Sequence, residues 1–213
     1  MAFPLLPLWL IYIIAVAIFG GGTLILLKSH KTQGQRLAVL GMKDAGKTRF
    51  YRFLQGKKYV EVLDLETEKD DIESFTYTCS NGSKIKIQKG HDYGGGRDYV
   101  KTHYEDLLKD SDIVVFVFDM HKFLYDMEYQ KETNSIASLI NDMNYKNCNI
   151  VKIASHKDEF DLSKQKNKKQ IYNEFCNVIK TKKYWDSIMD YNLFFADMRN
   201  NDELKTIADK IFK

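Results

Sequence analysis

Proline is missing from almost the whole chain: Pro4 and Pro7 are the only two, and both lie at the N-terminal end. Beyond them no Gly/Ser-rich linker or internal repeat divides the sequence, so nothing in the composition marks a second globular domain. Cysteine is scarce as well. Cys79, Cys148 and Cys176 are odd in number and widely spaced, with no C-x-x-C pair, which speaks against a disulfide framework and fits reduced thiols packed as small apolar side chains. Strong charge of one sign is absent too. A net charge of +3 without a concentrated basic face gives no reason to expect direct nucleic acid binding. The five histidines are scattered, none spaced with cysteine or carboxylates as in a zinc site, and no Ser/His/Asp or Cys/His pattern for nucleophilic catalysis is visible.

What is present begins with an apolar run. Leu5 to Leu27 carries no charge, and as a helix it would cover roughly 34 Å, slightly more than the ~30 Å hydrocarbon core of a bilayer. Trp9 and Tyr12 lie near its first end, and Gly20-Gly21-Gly22 interrupts it, favouring either a kink or the close approach of another helix. No Lys or Arg precedes the run, whereas Lys28, Lys31 and Arg36 follow it. The positive-inside rule then puts everything after Leu27 in the cytosol. A cleaved secretory signal is the competing reading, with Ala15-Val16-Ala17 as its small-residue site, but the basic n-region is missing and the run is too long. Residue 2 is Ala rather than Gly, which excludes N-myristoylation. The expected organisation is an anchor over residues 1–30 and one cytosolic domain over residues 31–213.

Leu37-Ala38-Val39-Leu40 is a short apolar run that ends at Gly41, and Arg49 to Leu54 beyond it reads as the start of a helix. Between them stands Gly41-Met42-Lys43-Asp44-Ala45-Gly46-Lys47-Thr48, a complete phosphate-binding loop. Its glycines allow tight turns that aim successive N–H groups at phosphate oxygens, Lys47 supplies charge for the β- and γ-phosphates, and the Thr48 hydroxyl is placed for Mg²⁺. The dipole at the start of the following helix adds to anion binding.

Ser74 to Cys79 and Lys84 to Gln88 flank Asn81-Gly82 and read as a hairpin. Asp92-Tyr93-Gly94-Gly95 follows, either a plain glycine-rich turn or the D-x-x-G form of a loop that senses the γ-phosphate, in which reading Asp92 approaches Mg²⁺ through water and the Gly95 amide binds the phosphate. Asp112 to Asp119 is a buried-strand run preceded by a helical stretch from Tyr99 to Lys109. Asn149 to Ala154 and Asn192 to Ala196 read as further strands, and Asp202 to Phe212 as a closing amphipathic helix. Alternating strands and helices predict an α/β fold, a P-loop NTPase with a doubly wound, mostly parallel sheet and one N-terminal transmembrane helix. The basic run Lys164, Lys166, Lys168 and Lys169 reads as a solvated helix start, and His91 as an ordinary loop histidine.

From about Arg36 to Lys213 the chain resembles the small GTPase superfamily, and within it the Arf-like branch, on the P-loop, the D-x-x-G loop and their order. With the apolar span included it is most similar to the beta subunits of the signal recognition particle receptor, single-span proteins with a cytosolic Arf-like domain. Gly94-Gly95, Val115 to Asp119 and Phe123 join the P-loop in carrying that similarity. The resemblance implies GTP or GDP with Mg²⁺, held by Gly41, Asp44, Ala45, Gly46, Lys47, Thr48 and Gly95. It implies Thr48 and Asp92 as metal groups, joined by a switch threonine for which Thr67, in the acidic stretch from Glu61 to Glu73, is the best placed. Receptor kinship would add an endoplasmic reticulum membrane and a receptor alpha subunit as partner; without it, a bacterial inner membrane fits equally.

Two positions depart from the family pattern. Where the guanine-reading N-K-x-D stands, this chain has His156-Lys157-Asp158-Glu159, so Glu159 would accept from the base and Lys157 would cover it, but base choice is opened. Ala196-Asp197-Met198 matches the second base-contacting loop loosely. Gly96 occupies the place of the Gln that orients attacking water, which predicts slow or partner-dependent hydrolysis. Three functions follow from these residues: a membrane-anchored GTP-binding switch, an ATP-dependent P-loop enzyme, or a degenerate GTPase serving as a constitutive docking subunit.

Overall fold

The computed structural model describes residues 34–58, 69–94, 103–142, 149–163, 167–186 and 193–212. The expected span over Leu5 to Leu27, Thr67, Gly95, Gly96, Lys164 and Lys166 lie outside these residues. Among the described residues no helix is long and apolar enough to cross a membrane.

The centre is a four-stranded parallel sheet in the order β1 (Leu37–Gly41), β6 (Ile113–Asp119), β7 (Asn149–Ser155), β8 (Leu193–Phe195). Strand β6 reads as an unbroken apolar run from Ile113 to Phe118 because both its faces are covered, whereas β7 carries the buried Lys152. Side chains alternate strictly between two cores. Leu37, Val39, Val115 and Val117 face one cluster, with Phe50 and Leu54 of α1 (Lys47–Leu54) and Leu204, Ile207 and Ile211 of α8 (Asn201–Ile211). Burying a side chain such as Phe50 or Leu54 contributes on the order of 2 kcal/mol.

Ala38, Leu40, Val114, Phe116 and Phe118 face the other cluster. It is covered by α2 (Tyr104–Lys109), α3 (Met120–Tyr125), α4 (Met127–Asp142), α6 (Lys168–Ile179) and α7 (Lys183–Asp186). Helix α5 (Lys157–Ser163) follows β7 directly. At the heart of this second core Trp185 is fully buried, with Phe116, Phe118, Phe123 and Phe175 around it at ring separations of 5.3–6.1 Å, and its N–H donates to Asn134.

The expected hairpin is β3 (Phe75–Thr78) with β4 (Lys84–Ile87), and Gly82 takes φ 80 in its turn. Hydrogen bonds from Gln35 N–H to Lys86 O and from Gln88 N–H to Gln35 O hold the hairpin beside the chain entering β1. One reading is corrected nearby. Asp92 and His91 sit in strand β5 (Gly90–Tyr93) rather than in a loop, paired with strand β2 (Lys69–Ile72) in the later part of the acidic stretch. Lys, Asp and Gly are poor strand formers, so this ladder is set by cross-strand pairing and not by propensity. His91 stands opposite Asp71 in the register and meets its carboxylate at 2.8 Å.

The expected helix starts have local causes. Asn200 accepts from the amides of Asp202 and Glu203 at the start of α8. At α6, Asn167 and Gln170 form a reciprocal capping box, with Lys168 and Lys169 exposed beside it.

Candidate nucleotide site

The loop from Gly41 to Lys47 joins β1 to α1, so the strand end and the helix N-terminus converge on one point, as a phosphate cradle requires. Gly41 has φ 154, and a Cβ there would lie 2.0 Å from Val117 O. Glycine is therefore demanded by β6 as well as by the turn. Asp44 (φ 61) and Gly46 (φ 100) take left-handed conformations, and a Cβ on Gly46 would press on the Met198 side chain at 3.0 Å.

The Lys47 ammonium folds back to donate to Met42 O at 2.9 Å. Burial pulls its pKa from 10.5 down to about 8, against the opposing pull of the Asp92 and Asp44 charges. A buried cation at the start of a helix is built to receive an anion. The Thr48 hydroxyl donates to Asp92 Oδ2 at 2.5 Å, which brings two of the three expected metal residues together. A hydroxyl and a buried carboxylate beside a phosphate cradle are hard oxygen donors, and that set fits Mg²⁺.

His156, Lys157 and Glu159 lie where β7 passes into α5, and Ala196 just past β8. His156 has φ 59, a left-handed position that Asn, Asp and His tolerate better than most residues, which accounts for an Asn-like slot holding His. A cavity of about 270 Å³ connects this region to the phosphate loop, lined by Asp44, Gly46, Arg49, His156, Asp158, Glu159, Asp197, Met198 and Arg199. A larger groove of about 460 Å³ along α4 is lined by Met127, Lys131, Ser135, Tyr184 and neighbours, and touches none of the phosphate loop.

Several groups expected at a base have partners within the protein. The Ala196 amide donates to Ala154 O at 2.9 Å, extending the ladder of β7 and β8. Glu159 Oε2 stands 3.2 Å from His121 Nδ1, and Lys157 Nζ donates to Glu203 Oε1 at 2.8 Å.

Three residues that sequence reasoning passed over, Tyr104, Glu203 and Arg199, complete the site, and Met198 of the loosely matching second base loop joins them. The buried Tyr104 hydroxyl donates to Gly41 O at 2.8 Å, supporting the phosphate loop from α2. Met198 packs on Gly46. Glu203 accepts from Lys157 Nζ and from the Asp197 amide, tying the two base-side loops together, and Arg199 reaches Asp158 at 2.6 Å in parallel. Burial acts to raise the Asp197 carboxyl, but hydrogen bonds and charge from Arg199, with the Lys157 charge, hold it below its usual range. No spacing signal links Tyr104 to Gly41 or Glu203 to Lys157, because each pair is distant in the chain. Ligand atoms of Asp119, His156 and Glu159, which come from separate elements, lie within 4.8 Å of one another.

A parallel sheet with this phosphate loop and its threonine and aspartate pair defines a P-loop nucleotide-binding protein of the small GTPase type. The chain belongs to the ADP-ribosylation factor (Arf) family, whose pattern matches residues 23–192, and it is thereby a GTP-binding switch protein. Members of the family generally bind GTP or GDP with Mg²⁺. No curated protein is similar enough to the chain to count as a relative.

Proposed function

We propose that this protein is a membrane-anchored guanine-nucleotide switch, in which GTP and Mg²⁺ at Gly41 to Thr48 order the segments around Thr67 and Asp92 for a cytosolic protein partner. The observation that carries the reading is the approach of Thr48 to Asp92 beside the buried Lys47, a geometry that couples a metal–phosphate group to strand β5. The uncharged run Leu5 to Leu27 supports a single span with the domain on the cytosolic side. Gly96 in place of a water-orienting Gln supports slow or partner-dependent hydrolysis. The resemblance to signal recognition particle receptor beta subunits favours the endoplasmic reticulum and a receptor alpha subunit over a bacterial inner membrane.

One observation favours a second reading, a degenerate GTPase that docks constitutively: Ala196, Glu159 and Lys157 already have protein partners where a base would need them. Denaturing the purified full-length chain and identifying the released nucleotide separates these. Guanine nucleotide supports the switch, adenine nucleotide points to an ATP-dependent enzyme, and neither bound nucleotide nor measurable binding supports constitutive docking.

A further inference from the structure

The aromatic core and the groove along α4 meet at one residue, Asn134. Its side chain is only 7% exposed, and its Oδ1 accepts the Trp185 indole N–H at 2.7 Å. An indole N–H donates and never accepts, so this bond fixes which end of the amide faces the core. The Nδ2 end is left to the 460 Å³ groove that Asn134 lines, and among the described residues it donates to no acceptor. An amide donor nine-tenths buried, held in one orientation and turned to a groove, is a place for an oxygen from outside.

The groove has a length and a charge of its own. Met127, Lys131, Asn134, Ser135 and Ser138 follow one face of α4 at i, i+4, i+7, i+8 and i+11, a stripe about 16 Å long. That is the reach of about five residues of extended chain, and more than a compact anion fills. Across from the stripe stand Lys182 and Tyr184, positioned by the burial of Trp185 next to them. No acidic side chain lines the groove, and neither Lys131 nor Lys182 has an ion-pair partner among the described residues. Met127, at one end, is 87% exposed, the highest exposure of any large hydrophobic among the described residues.

We propose that this groove between α4 and α7 docks an extended segment of a protein partner that carries acidic and apolar side chains together. The acidic group meets Lys131 and Lys182, the apolar one packs on Met127 and Tyr184, and a backbone carbonyl accepts from Asn134 Nδ2. Charge complementarity names the acidic residue, since the groove offers cations and donors with no carboxylate of its own. Methionine and tyrosine are side chains that interfaces favour, and methionine adapts to the shape it meets.

The test presents the full-length chain in detergent to an array of synthetic peptides of about six residues that vary in acidic and apolar content. Peptides combining glutamate with leucine should bind saturably, and their counterparts with glutamine in place of glutamate at least about tenfold less tightly. Lys131→Glu combined with Lys182→Glu should weaken the acidic peptides at least about tenfold. Lys168→Glu combined with Lys169→Glu, an equal change of charge on exposed residues outside the groove, should leave them unchanged. Asn134→Asp keeps an acceptor for Trp185, removes the donor facing the groove, and should weaken the same peptides; if it does not fold, the lysine pairs decide. Absence of saturable binding, equal binding of the glutamine peptides, or equal loss from both lysine pairs would overturn the proposal. So would displacement by equimolar free glutamate, the mark of a small-anion site. A dimer in sedimentation that the Lys131 and Lys182 reversal dissolves would make the occupant a second copy of this chain and overturn it too. The groove shares no residue with the cavity at the phosphate loop, so none of these results depends on the guanine reading.

Discussion

The Thr48 hydroxyl and the Asp92 carboxylate meet at 2.5 Å, joining the first turn of α1 to strand β5. A divalent ion bound there would be shared between the phosphate loop and the strand that leads into Gly94-Gly95. Thr48→Val and Asp92→Asn should therefore each weaken GTP binding about tenfold or more in Mg²⁺, yet differ little from the unmodified chain in EDTA. Titration with a fluorescent GTP analogue under both conditions checks this, and equal losses with and without Mg²⁺ would remove the metal from the argument.

Gly41 and Gly56 offer a matched pair of substitutions. Both have positive φ, but a Cβ at Gly41 would strike Val117 O while one at Gly56 would meet nothing within 4 Å. Gly56→Ala should cost about 1 kcal/mol from backbone conformation alone. Gly41→Ala, which forces β1 and β6 apart, should cost on the order of 3 kcal/mol and abolish nucleotide binding. Denaturant unfolding of both variants measures the difference.

Lys47 gives a pH signature. Its folded pKa, about 8, lies below its usual 10.5 because burial disfavours the charge. Between those values the unfolded chain holds the extra proton, so this residue makes stability rise with pH across the window, and its penalty is fully present below pH 8. In nucleotide-free protein, the melting temperature relative to Lys47→Met should climb from about pH 8 to about pH 10. Parallel profiles for the two proteins would contradict the burial argument.

Glu203 serves the base-side loops without belonging to either. It holds Lys157 Nζ at 2.8 Å and the Asp197 amide at 3.0 Å. Glu203→Ala should lower stability by about 1–3 kcal/mol and speed nucleotide release, leaving the Mg²⁺ dependence of binding unchanged. Stopped-flow release in the presence and absence of Mg²⁺ distinguishes this tether from a phosphate-loop defect.

The phosphate loop was legible because its chemistry is contiguous: Gly41 to Thr48 states the turn, the charge and the metal hydroxyl within one segment. Strand β6 was legible because burial on both faces writes itself as an unbroken apolar run from Ile113 to Phe118. Strand β2 was not, since Lys69, Asp70 and Asp71 acquire strand geometry only by pairing with β5. Tyr104, Glu203 and the packing of Met198 on Gly46 were invisible for a related reason: each acts on a residue far away in the chain, and only the folded sheet brings them together.

The sealed aromatic core around Trp185 makes the protein a two-channel optical reporter. The chain has two tryptophans: one packed among four phenylalanines with its N–H held by Asn134, the other, Trp9, within the apolar run. Emission lost in denaturant will follow the unpacking of the domain, and if the proposed anchor inserts, emission altered by lipid will follow Trp9, so collapse of the fold and the proposed entry into a bilayer would be read separately from a single cuvette.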